Sequence, residues 1–162
     1  MRHRAASNRP KVLVIVLAAL FMLNVPVLGQ DQMVLGPRQF EEDKSGNGAV
    51  LCAWGLYLSI QAETAACGLA RQPIDDAIDE AIIAIDEFIL RNSSLHPTRA
   101  MLDEFKQRAT KSHLAPGQRQ GLQKFCSHPD LERFRKIPAE QIRAGTKKLL
   151  ELPREPVMNP CL

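Results

Sequence analysis

Four cysteines occur in 162 residues (Cys52, Cys67, Cys126, Cys161), and none is spaced for chemistry. The lack of Cys-x-x-Cys excludes a thioredoxin-type redox centre, and the lack of Cys-x-x-Cys-His excludes the usual covalent c-type haem site. There is no Gly-x-Ser-x-Gly nucleophile elbow and no calcium-loop spacing. Ser45, Gly46, Asn47 and Gly48 lack the Lys-Ser/Thr that would make a phosphate-binding loop. No alternating apolar and polar stretch of useful length exists, so strands are not expected.

Only one long apolar run is present, over residues 12–23, and it is preceded by Arg2, His3, Arg4, Arg9 and Lys11. Asn24, Pro26, Val27, Leu28 and Gly29 follow. A basic start, an apolar stretch of roughly 7–15 residues and small residues before a cut form the layout of a secretory signal, with cleavage expected after Gly29. The run falls short of the roughly 20 apolar residues a bilayer span takes. No cysteine follows closely enough for a lipid anchor, and His3 separates Arg2 from Arg4, so a twin-arginine signal is not supported. The expectation is an exported protein of a bacterial envelope, periplasmic or extracellular, with no membrane span after signal removal.

Removing residues 1–29 changes the charge. Four of the 21 basic residues (Arg2, Arg4, Arg9, Lys11) and none of the 18 acidic ones lie there. The rest is one unit net negative, not +3, and has no strong electrostatic reason to seek nucleic acid. Its length fits one domain. The expected organisation is a signal peptide over 1–29, a flexible leader over 30–47, and a single helical domain over 48–162 ending in a proline-rich tail over 153–162.

The fold class expected is all-α, a compact bundle of about five helices. The first helix is expected over residues 49–67, with Asn47 as N-cap and Gly68 as C-terminal stop. Leu51, Trp54, Leu58, Ala62 and Ala65 form its main stripe, and Leu56, Tyr57 and Ile60 widen it, so it reads as the most buried helix. The second opens at Pro73, with Asp75 and Asp76 at its positive end. There a seven-residue echo places Ile78, Ala81, Ile82, Ile85, Phe88 and Ile89 on one stripe, and Asp79, Glu80, Asp86 and Glu87 on the other side. A third helix is expected over 97–112, with Met101, Leu102, Phe105 and Ala109 inward. A short one opens at Pro116 and Gly117, with Leu122, Phe125 and Cys126 facing the core. One more turn spans 129–135, using Leu131 and Phe134, and a last helix spans 138–150, using Ile142, Leu149 and Leu150. Three prolines exclude a helical tail.

An oxidising compartment makes the cysteines structural disulfides. Cys52 and Cys67 are 15 residues apart on one helix, or roughly 22 Å along its axis. A disulfide needs Cα atoms within about 7 Å, so those two do not pair. With short loops and helices alternating in direction, the short fourth helix returns Cys126 to the Cys52 end. Cys52–Cys126 with Cys67–Cys161 is therefore favoured over Cys52–Cys161 with Cys67–Cys126.

No catalytic, cofactor or metal residues are assigned. His96 and His128 each precede a proline and His113 sits at a helix exit; boundary roles account for all three. Asp75, Asp76, Asp79, Glu80, Asp86 and Glu87 form the densest charge cluster. It reads either as a solvated face or as a docking face for a protein partner. Arg133, Arg135, Lys136, Arg143, Lys147 and Lys148 supply the opposite sign. The function expected is binding of a protein partner, of inhibitor, immunity or chaperone-like type, without catalysis. The alternative is a ligand carrier or hydrolase with a cleft near Trp54 and Glu63. In plan, the chain is similar to exported, cysteine-paired helical immunity proteins that neutralise toxic amidases. Ser45, Gly46 and Asn47 before Cys52, then Cys67-Gly68 and Pro160-Cys161, carry the likeness. The 59-residue separation of Cys67 from Cys126 departs from it, and no functional residue is carried over.

Overall fold

The computed structural model describes residues 37–113 and 119–161. The expected signal peptide, residues 30–36 of the leader, Pro116 and Gly117 lie outside the described residues. A 3-10 turn, Pro37–Phe40, precedes six α-helices: α1 Val50–Ala66, α2 Pro73–Asn92, α3 Arg99–His113, α4 Arg119–Cys126, α5 Pro129–Arg135 and α6 Ala139–Leu149. The protein is all-α. Among the described residues there is no strand, only an isolated parallel bridge between Glu42 and Asn159. The extra turn expected over 129–135 is a helix in its own right, which makes six among the described residues.

α2 is the central element, with α1, α3 and α6 packed on it. Pro73 sits in its first turn, where a missing N–H costs nothing. The Gln72 N–H donates to the Asp75 carboxylate at 2.7 Å. Ile74, Ala77, Ile78, Ala81, Ile82, Ile85, Phe88 and Ile89 then recur at three-to-four spacing and are all buried. α1 runs antiparallel to α2, since Gln61 meets Asp79 and Trp54 meets Asp86. α1 ends where Gly68 takes the left-handed conformation at φ 65°, as its sequence leads one to expect. Its girth does not make it buried all round: Leu56 is 54% exposed, and Ala65 faces solvent. Met101, expected inward, is 47% exposed, whereas its neighbour Leu102 is fully buried.

The leader differs from expectation. From residue 37 onward it has a defined course, because the tail binds it. The Met158 N–H donates to the Gln39 carbonyl at 2.6 Å and the Asp43 N–H to the Asn159 carbonyl at 2.7 Å. Arg154 lies between them. Its guanidinium meets the Asp43 carboxylate at 2.9 Å and donates to the carbonyls of Gly48, Leu149 and Leu152 at 2.7, 2.9 and 3.0 Å. The N-cap of α1 is Ala49, not Asn47, and has no side-chain cap. One of the unpaired N–H groups of the helix start, that of Leu51, instead donates to the Val157 carbonyl of the tail at 3.0 Å.

The disulfides are Cys52–Cys161, with Cα atoms 5.2 Å apart, and Cys67–Cys126, with Cα atoms 5.6 Å apart. This corrects the favoured pairing, Cys52–Cys126 with Cys67–Cys161, in favour of its rival. The reason is length. α4 has eight residues against the 17 of α1, about 12 Å against about 25 Å. It therefore cannot carry Cys126 along α1, and it stays at the Cys67 end. α5 stays there too, with Arg135 meeting Asp75 at 3.3 Å beside the start of α2. α6 then runs in the direction of α2, with Arg143 against Glu80 and Leu150 beside Ala84, and delivers the tail to Cys52.

Candidate functional site

The six carboxylates of α2 do not form one open face. Asp86 is only 1% exposed: it accepts from the Trp54 indole N–H at 2.9 Å, the Lys106 ammonium at 2.6 Å and the Arg99 guanidinium at 3.3 Å. As a member of a partner-binding face, Asp86 is therefore a correction: it shares a stripe with Asp79, but Trp54 and α3 cover the stripe at the Asp86 level. The others each have an intramolecular partner. Glu87 pairs with Arg99, Asp76 and Asp79 with Arg71 at 2.6 and 2.7 Å, Glu80 with Arg143 at 2.7 Å, and Asp75 with Arg135. Hydrogen bonding from Arg143 holds the Glu80 carboxyl below the ordinary value. Burial would push the Lys106 amine down, but its bonds to Asp86 and Asp103 outweigh this and hold it above its ordinary value. A face whose charges are matched from within has little potential left for a basic partner.

Trp54 belongs to the core. It is 3% exposed and stacks on Phe105, with ring centroids 5.1 Å apart. Among the described residues, neither Trp54 nor Glu63 lines any of four cavities and grooves on the molecule. His96 is exposed on the link between α2 and α3, with φ 46°, and His128 is exposed between α4 and α5; the side chain of His113 lies outside the described residues. Among the described residues, no three of His, Cys, Asp and Glu converge as metal ligands would.

What the structure brings together instead is an apolar groove of about 420 Å³ between α1 and the α4–α5 pair. Leu56 and Ile60 of α1 form one wall, four residues apart on one helical stripe. Phe125, Leu131 and Phe134 form the other, with Gly121 between the walls and Lys124 and His128 at the rim. The Cys67–Cys126 disulfide ties α4 to the end of α1 and so fixes the width of the groove. Phe125 and Phe134, expected to face the core, are only partly buried here, because α4 and α5 are too short to cover each other. The signal in the sequence is the apolar surface that Leu56, Tyr57 and Ile60 add beside the main stripe of α1, which reads as burial; Ile60 is indeed buried, and Leu56 is the residue left exposed.

A second groove of about 310 Å³ runs between α2 and α6 over Ala77, Ala81 and Ala84. A hollow of about 80 Å³ lies beside Gln61, Thr64, Asp75 and Asp79. Lys147 lines the second groove, also with no side-chain partner among the described residues, but the walls there are mainly alanine and lack the large apolar side chains of the first. Searches against protein-family models, curated proteins and solved structures found no match to this chain.

Proposed function

We propose that this chain is an exported protein, cleaved after Gly29 and oxidised in a bacterial periplasm or outside the cell, that acts by binding a protein partner and not by catalysis. Two disulfides support the oxidising compartment. Among the described residues no helix is long and apolar enough to cross a membrane. The observation that carries the binding reading is the α1–α4–α5 groove. A disulfide organises its walls; Ile60 and Leu131 form a buried floor, while Leu56 is 54% exposed and Phe125 and Phe134 are only partly covered, an apolar patch of the kind found at protein interfaces. The cleft that a carrier or hydrolase would need at Trp54 is filled by Phe105.

The test is site-specific photo-crosslinking in cells that express the full chain. A crosslinker replacing Leu56 should give a discrete product containing a second protein, and one replacing the exposed Ala144 of α6 should not. Equal products from both positions, or none from Leu56, would overturn the reading.

A further inference from the structure

We propose that the α1–α4–α5 groove receives an amphipathic helix that carries carboxylates along one flank of its apolar face, which presupposes that the groove binds a protein. The walls of the groove are helices, and among the described residues no strand edge borders it. An extended peptide laid against Leu56, Ile60, Phe125, Leu131 and Phe134 would lose water from its backbone and find no N–H or C=O to replace it. Each such loss is a penalty that the groove offers nothing to offset. A helix satisfies its backbone internally and asks only for side-chain contact. The eight residues of α4 set a groove length of about 12 Å. That suits a visitor of two to three turns with anchors at i, i+3 or i+4, and i+7.

Charge selects the flank. Between residues 119 and 136 the chain carries five basic groups (Arg119, Lys124, Arg133, Arg135, Lys136) against two acidic ones (Asp130, Glu132). Arg135 is committed to Asp75 and to the Ala70 carbonyl, and Lys136 to Glu132. Lys124 is exposed at the rim, and its ammonium has no partner among the described residues. A carboxylate one turn from an apolar anchor meets it without displacing any existing pair.

The experiment uses the full oxidised chain and fluorescein-labelled 15-residue peptides read by polarisation. The parent peptide has leucines at i, i+3 and i+7 and glutamates along one flank. One variant has lysines for the glutamates, and another has a central proline. Dodecanoate is the non-peptide competitor. The parent should bind, the lysine peptide at least tenfold more weakly, and the proline peptide and dodecanoate should not compete. Leu56→Glu should abolish binding, and Lys124→Glu should reverse the preference between glutamate and lysine flanks. Both positions are exposed, and circular dichroism with unreduced mass confirms that the variants fold. Equal binding of the proline peptide would show an extended visitor, and displacement by dodecanoate a site for an anionic amphiphile. Self-association that displaces the peptide would show a second copy of the chain. Any of these, or no binding at all, overturns the helix. If Leu56 still crosslinks to a protein in cells, only the nature of the visitor falls; if that fails too, the partner-binding reading falls with it.

Discussion

Arg154 joins three stretches of chain through one guanidinium: the leader at Asp43 and Gly48, the end of α6 at Leu149, and the start of the tail at Leu152. The guanidinium also lies over the Phe88 ring of α2, 5.7 Å from its centroid. Its partner carboxylate is almost fully enclosed. Burial pushes the Asp43 carboxyl up, but hydrogen bonds from Ser45 and the bond and charge of Arg154 outweigh it, so the group titrates below its ordinary value of 3.8. A depressed carboxyl stabilises the fold fully above its ordinary value, and that stabilisation is lost as pH falls through the lower, folded value. Asp43→Asn should therefore cost about 3 kcal/mol at pH 7, the usual cost of breaking an enclosed charge pair. The gap between wild type and variant should begin to narrow as pH falls below about 4 and go on narrowing as pH falls further, through the lower folded value. Urea unfolding from pH 2 to 7 checks this, and a gap as wide at pH 2 as at pH 7 would contradict it. Nothing in the sequence pairs Asp43 with Arg154, 111 residues on: lone charges in polar segments carry no periodic signal.

At the scale of elements, α3 shows which contacts decide docking. Leu102 is fully buried and Phe105 lies on Trp54, while Met101 faces solvent. Leu102→Ala should destabilise by about 3 kcal/mol through lost transfer energy and the cavity left behind. Met101→Ala should change stability by no more than about 0.5 kcal/mol. Guanidinium melts of the two variants make the comparison, and equal effects would mean that α3 docks in another rotation. The three-to-four periodicity of α2 made that helix legible in nearly every position, because its buried stripe is continuous. It did not say which part of the opposite stripe would be covered. Asp79 and Asp86 are equivalent by spacing, and only the passage of α3 over the second separates them. For the same reason the candidate groove was half legible. The apolar residues of α1, α4 and α5 were identifiable, but whether they met each other or a partner depended on helix lengths and on the disulfide register.

At the scale of the whole molecule, the two disulfides divide the labour. Cys67–Cys126 sets the groove, and Cys52–Cys161 holds the tail and leader over the start of α1. Peptide mapping of unreduced protein should recover these two pairs and neither crossed pair. Replacing Cys52 and Cys161 together by alanine should cost about 2–4 kcal/mol. It should also raise amide exchange in residues 154–159 and 39–43 far more than in α2, because those stretches depend on each other. Uniform exchange across the molecule would show that the tail is not a separate unit.

The two bridges are nested, the first cysteine joined to the fourth and the second to the third. An oxidase that met the chain as it emerged from its amino end would see Cys52 and Cys67 first, and would join them if nothing kept them apart. The helix between them is what keeps them apart: at roughly 22 Å it denies the neighbouring thiols a bond. Secondary structure must therefore precede oxidation, or a shuffling enzyme must correct it afterward. The yield of native protein would then report how quickly α1 winds as it emerges.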